Sequence, residues 1–434
     1  MTHYGYQAGD LIGLGASMVW KTGESMARWA VMMGLLVLGL GCHDPLAANG
    51  EDGSDAGGDT GVDVGADEPD VEAGEPDVEA GEADVGEVGE PDVIEEPDAE
   101  PSPDLPFVLY LHPEGDDGAS GLAPDDAILT MARAHEILLA EQPDSEVEIL
   151  VAPGRYHAQE VVWTYTHPEH QILISRLDDD ADRPVFDGCD VANPSDTASQ
   201  CNADTWFRLN QSAGEPTNLN FHYIRVERYR TAISLNGNRN NVGGTNGHNR
   251  IYGCYFRHIG NGFAPHLEPS TAVVRLVNSD HNEIANNHFV DVINTTSLNR
   301  IHAIYVAHLS SYNAIERNRF VNNTGDAVRV RDYSNYNQIL ENRFIKAGQF
   351  AGYTEWYCDH DVRDDCTKQD PECPSWHNEF RDNELDGNYQ CEVLGTFEYF
   401  QGEATTGCSP PTPTSPRLST SGNFQAGPTP CYGY

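Results

Sequence analysis

His248–Phe256 reads HNRIYGCYF, His281–Phe289 HNEIANNHF, Tyr312–Phe320 YNAIERNRF and Tyr336–Phe344 YNQILENRF. A weaker copy, HNEFRDNEL, spans His377–Leu385. Each is Asn-x-(Ile/Phe)-x-x-x-x-(Phe/Leu), and the starts are 33, 31, 24 and 41 residues apart. Similarity at a period of this order is the signature of a solenoid. A helical solenoid would carry a 3.6-residue apolar period over ten or more positions, which these fragments lack. They alternate with period two over four to six residues and carry Asn and Gly at the turns. Asn tolerates left-handed turn geometry and, stacked in register, forms an amide ladder. The expected fold is therefore all-β, a parallel β-helix. Asn282, Asn313 and Asn337 should stack at one corner, and Phe289, Phe320 and Phe344 should stack inside. His248 and His281, just before the repeat Asn, read as turn residues.

The short runs after the repeats, AVVRLV, HAIYVAH and DAVRVR, set the two faces. Val274/Leu276, Ile304/Val306 and Val328/Val330 should point inward, leaving Arg275, Tyr305 and Arg329 outward. Reading AGYTEWYCD with Thr354 and Trp356 inward extends that column to Tyr353. Arg331 and Glu355 then fall in the next column, His302 and Asp326 at one edge, and His308 and Asp332 at the other. The register between the Arg275 coil and its successor reads as slipped by one residue. Beside these basic and aromatic groups, the plain alternative is a solvated ladder of surface ion pairs worth little each.

Upstream, FVLYLHP from Phe107 reads as a strand and Pro124–Leu139 as an amphipathic helix, with Asp125 and Asp126 in its first turn. This order resembles the start of secreted right-handed β-helix proteins, whose helix caps the open end of the core. Residues 105–400 form one domain on this reading, and 401–434 a disulfide-held tail wrapped outside it. Residues 42–104 read as an extended acidic tether. Glu51–Asp104 holds 22 acidic and no basic residues, half of the net charge of −44. Beyond it 44 acidic residues face 23 basic ones, a net of −21, which argues against nucleic acid as a partner. Residues 1–41 carry Lys21 and Arg28 ahead of an apolar run, Trp29–Gly41, that ends at Cys42. This resembles a bacterial lipoprotein signal, with Gly39 where a larger aliphatic residue is usual. It implies lipidation of Cys42, a location in the cell envelope or outside the cell, and membrane contact through that lipid alone. The domain itself is expected to be a monomer.

Export fits the cysteines. Cys189 and Cys201 flank one polar loop and are expected to pair, and Cys254 reads as a buried thiol. Cys358, Cys366, Cys373, Cys391, Cys408 and Cys431 crowd the C-terminal region and are expected to form disulfides, with fifteen pairings open.

The coils, with Asn249, Asn282, Asn313 and Asn337 at the repeat position, resemble the pectate-lyase-like superfamily of right-handed β-helices. Its members include polysaccharide lyases, hydrolases and uronan epimerases, and more distantly the chain is similar to the chondroitinase B and alginate lyase branch. That likeness implies an acidic polysaccharide as partner and, by position, Arg329 and Arg331 as the basic catalytic groups. Calcium is the one cofactor it implies. The chain departs from the branch in lacking any Lys in the expected groove and an evident multi-carboxylate calcium cluster. β-Elimination on a uronate suits the residue types. Arginines neutralise the carboxylate, His302 or Tyr305 takes the α-proton, and Tyr353 or Tyr305 protonates the leaving oxygen. Arg275, His308, Asp326 and Asp332 are expected to bind substrate. A glycoside hydrolase would instead need two carboxylates from Asp326, Asp332 and Glu355. A third class is a non-catalytic glycan-binding or structural protein.

Overall fold

The computed structural model describes residues 105–178, 182–190, 201–210, 216–238, 245–358, 372–393, 396–401, 408 and 416–427. The leader, Cys42, the acidic stretch to residue 104, Cys366 and Cys431 lie outside the described residues. The described chain is a right-handed parallel β-helix. Each complete coil adds one strand to each of three sheets, and every strand pair between coils is parallel, as between Ala272–Val277 and His302–Ala307. Sheet A has ten strands, from Phe107–Leu111 to Leu418–Ser421. Sheet B has nine, from Arg155–His157 to Phe424–Ala426, and sheet C has eight, from Val161–Trp163 to Glu398–Gln401.

The Asn ladder stands at the corner entering sheet A. Asn282 Nδ2 donates to Asn313 Oδ1 at 2.7 Å and Asn313 Nδ2 to Asn337 Oδ1 at 2.9 Å. The residue before each is left-handed: His248, His281, Tyr312, Tyr336 and His377 have φ between 53° and 59°. Their rings stack outside the corner with centroids 4.8–5.0 Å apart. A second ladder, Asn287–Asn318–Asn342–Asn383–Asn423, stands between sheets A and B. Phe289, Phe320 and Phe344 stack inside, fully buried, with centroids 5.2 and 4.9 Å apart.

Two expectations about the ends change. The helix is Met131–Glu141, preceded by a short turn at Pro124–Asp126. Asp117 fixes that start by accepting the backbone N–H groups of Leu129 and Thr130, and the Thr130 side chain then caps the helix. The helix does pack on Val161–Trp163, with His135 lying 4.8 Å from Trp163. At the other end, Leu418–Ser421 and Phe424–Ala426 do not wrap the outside. They add rungs to sheets A and B, because Asn423 continues the second ladder. Cys189–Cys201 and Cys373–Cys408 are disulfides, and Cys358 and Cys391 are also disulfide-bonded. Cys254 is a buried free thiol, pushed up to about 12 by desolvation.

Candidate active site

Alternation in sheet C buries Val274, Leu276, Ile304, Val306, Val328 and Val330, and turns their neighbours outward. Arg275, Tyr305 and Arg329 pair directly, one per rung, without the expected slip. Below Arg329 the column continues through Thr354 to Tyr399. Arg331 pairs with Ala307 in the next outward column.

The strand Tyr353–Trp356 corrects the outward reading of Tyr353 and Glu355. Its register pairs Val328 with Tyr353 and Val330 with Glu355, so both side chains enter the solenoid, where they are 0% exposed. Tyr353 packs against Phe380 and Phe400, and its hydroxyl meets Asn378 Nδ2 at 3.2 Å. Glu355 Oε1 is reached from distant coils, accepting from Ser375 N at 2.8 Å and Arg417 Nη2 at 2.7 Å. Its carboxyl is nonetheless raised above the usual range, because desolvation outweighs Arg417. Thr354 and Trp356, expected inside, face out. Thr354 Oγ1 accepts from Arg329 Nε at 2.8 Å, and the Trp356 ring lies 4.1 Å from the Arg331 guanidinium.

At one edge of this face Asp326 acts as a hub. Its backbone oxygen takes the Nδ1 proton of His302 at 2.6 Å, since a carbonyl can only accept. That fixes the tautomer and leaves His302 Nε2 as the basic nitrogen. Asp326 Oδ2 stands 3.6 Å from Arg329 Nη2, and Oδ1 accepts the backbone N–H groups of Gln349, Phe350 and Ala351 at 2.8, 2.8 and 3.3 Å. Burial, reinforced by Arg329, holds the His302 imidazole well below its ordinary range, so it is neutral near pH 7. Burial raises the Asp326 carboxyl and lowers the Arg329 guanidinium, each partly offset by the other. The Tyr305 ring lies nearly parallel to His302, centroids 5.9 Å apart.

The other edge is built on Glu372, which sequence reasoning missed. It forks onto Arg331, with Nε–Oε2 at 2.6 Å and Nη2–Oε1 at 2.5 Å. The third nitrogen, Arg331 Nη1, donates to Tyr305 Oη at 2.8 Å. Cys358 N donates to Glu372 Oε2, and Cys373 N to Asp332 Oδ1, so cysteines of the disulfide region hold both carboxylates. His308 Nδ1 meets Asp332 Oδ2 at 3.0 Å. Arg275 differs from its neighbours. Among the described residues it makes no ion pair or hydrogen bond, and its Nε is buried without a partner.

Among the described residues, two His/carboxylate groups have the spacing to hold a metal: His308–Asp332–Glu372 and Asp144–His167–His170. In the first, Arg331 already neutralises Glu372, and His308 Nδ1 carries the proton it gives to Asp332. In the second, His167 Nδ1 accepts the backbone N–H groups of Glu169 and His170, so its proton sits on Nε2, the atom facing Asp144. The first group is satisfied by its own hydrogen bonds and ion pair, the second stands at an exposed Asp144 3.6 and 4.0 Å from the two imidazoles, and neither fits calcium, which takes oxygen ligands.

No family profile matches the chain, and no curated protein does. Among solved structures it is similar to a rhamnogalacturonan lyase, at 15% identity over 65% of this chain and 68% of that one, with a TM-score of 0.46. It is also similar to the catalytic domain of a GH87 alpha-1,3-glucanase (11% identity, 67% of this chain and 40% of that one, TM-score 0.39). An alginate lyase from Paenibacillus sp. shares 12% identity over 69% of this chain and 94% of that one, with a TM-score of 0.37. These names span lyases and hydrolases, and likeness this distant says nothing of the chemistry.

Proposed function

We propose that the outer face of sheet C binds an acidic polysaccharide and cleaves it by β-elimination. The observation that carries this reading is the neutral, tautomer-fixed His302 on the same face as Arg275, a half-buried arginine whose Nε is closed to water without a partner. A buried donor left open is the exception in a folded protein, and a carboxylate is its natural complement. Arg275 therefore takes the role first given to Arg331, whose fork Glu372 occupies. Arg275 and Arg329 bind the uronate carboxylate and stabilise the charge that spreads onto it. His302 Nε2 removes the proton α to that carboxylate. The C–H electron pair forms the ring double bond, the bond to the leaving oxygen breaks, and the Tyr305 hydroxyl protonates that oxygen. Arg331 orients this hydroxyl and favours the phenolate left behind. The hydrolase alternative is weakened, because Glu355 lies inside the solenoid and Asp326 is committed to three N–H groups and Arg329.

A panel of uronate-containing and neutral glycans tests the reading, followed by the ultraviolet absorbance of the unsaturated product and by new reducing ends. Cleavage of a uronate polymer with absorbance, abolished in Arg275→Ala and His302→Gln, is the expected result. Reducing ends without absorbance would indicate hydrolysis. Full activity in Arg275→Ala would show that the wrong arginine had been chosen.

A further inference from the structure

The outward column does not stop at the charged residues. Two rungs beyond Arg329 it reaches Tyr399, whose ring stacks on Phe350 with centroids 4.8 Å apart and planes 15° from parallel. Both rings are partly exposed, on a face whose other aromatic group in this column, Tyr305, is buried. Phe350 belongs to the turn whose N–H groups are gripped by Asp326 Oδ1, so the carboxylate facing Arg329 also fixes one ring of this pair.

The geometry points to a sugar-stacking subsite at Phe350 and Tyr399, taking the apolar face of a pyranose ring further along the chain held at Arg275 and Arg329. The inference deepens the proposed function and rests on it. Rungs of a parallel sheet repeat at about 4.8 Å, so Tyr399 stands roughly 10 Å from Arg329 along the axis. A sugar in an extended glycan advances by a distance comparable to one such rung. A ring seated on Tyr399 is therefore about two units from the uronate on Arg329. The intervening residue, Thr354, is small and has its hydroxyl engaged by Arg329, so nothing bulky separates the two places in the column. The groove is thus directional: arginines hold charge at one end and an aromatic pair holds a ring face at the other. Short oligomers bound at the arginines would not reach the pair, whereas longer ones would.

The test uses linear galacturonate and mannuronate oligomers of two to six units with the full domain, titrated calorimetrically. Tyr399→Ala should leave the shortest bound oligomer unchanged and weaken the longer ones by roughly three- to tenfold, the range expected of one aromatic contact. Tyr399→Trp should restore the longer oligomers. Thermal denaturation of each variant separates lost binding from lost folding, and Phe350→Leu provides a second perturbation of the pair. If the wild type binds but Tyr399→Ala weakens all lengths equally, or none, the platform is wrong and the charged groove stands. If the wild type binds no oligomer at all, the groove reading fails and this subsite with it.

Discussion

Asn313→Ala removes one amide from the middle of the first ladder. Asn313 Oδ1 accepts from Asn282 N at 3.0 Å and Asn282 Nδ2 at 2.7 Å, and its Nδ2 donates to Asn337 Oδ1 at 2.9 Å. Two of the three surviving groups keep a partner: Asn282 Nδ2 has Ser279 Oγ, and Asn337 Oδ1 has Asn313 N. The Asn282 N–H loses its acceptor in a corner that is essentially closed to water. One orphaned buried donor costs about 1–3 kcal/mol and two ordinary hydrogen bonds about 0.5–1.5 kcal/mol each, so the loss should be roughly 2–6 kcal/mol. Urea titration reads this as a fall in midpoint at unchanged slope. Gln338→Ala, exposed on the adjacent strand, is the control and should stay within about 0.5 kcal/mol. A loss below about 1 kcal/mol for Asn313→Ala would refute the view that the ladder amides are individually load-carrying in this corner.

The remaining expectations concern the site and its frame. Because burial holds His302 below its ordinary range, the acid limb of kcat/KM should lie below pH 6.5, the usual histidine value. An acid limb at or above that value would remove His302 as the base. In stability the sign is the same. The unfolded chain takes up a proton that native His302 refuses, so this residue's contribution declines as pH falls below about 6.5, which His302→Gln should abolish. Glu372→Gln breaks a buried ion pair and should destabilise the domain by about 3–5 kcal/mol in chemical denaturation. Reduction of Cys373–Cys408, whose partners are 35 residues apart, should lower stability by about 3–4 kcal/mol, read as a fall in Tm with dithiothreitol.

The repeats made the coil legible because each Asn and Phe serves the same partner one rung away, so the sequence repeats what the structure repeats. The second ladder was equally visible as an Asn five residues after the first, in Asn282/Asn287, Asn313/Asn318, Asn337/Asn342 and Asn378/Asn383. It extends to Asn423 in the SGNF stretch, which would have marked the last coil. The column of Arg275, Tyr305 and Arg329 was readable because aliphatic residues flank each one. The strand at Tyr353 was not, since Tyr, Thr, Glu and Trp offer no unambiguous apolar face, and a one-residue shift exchanges inside for outside. What decides it is remote. Glu355 can face inward only because Arg417 and Ser375 N reach it from other coils. Glu372 was missed for the same reason, lying 41 residues from the arginine it binds.

The feature that organises the site is a residue that need not touch substrate. Asp326 sends its carbonyl to His302, one carboxylate oxygen toward Arg329 and the other to the turn carrying Phe350. The base, the carboxylate clamp and the distal ring pair therefore share a single anchor. Gly348 makes that anchor possible: it sits at φ 89°, and a Cβ there would stand 2.7 Å from Asp326 Oδ1. The arrangement also explains which arginine is open. Arg329 has Asp326 beside it and Arg331 has Glu372, so neither leaves its rung as an uncompensated charge. Arg275 has no such carboxylate among the described residues, on a chain whose net charge is −44. In a protein with so many acidic side chains to spare, an arginine left unpaired one rung from Tyr305, on the face that carries a neutral histidine, is best understood as awaiting a carboxylate from outside.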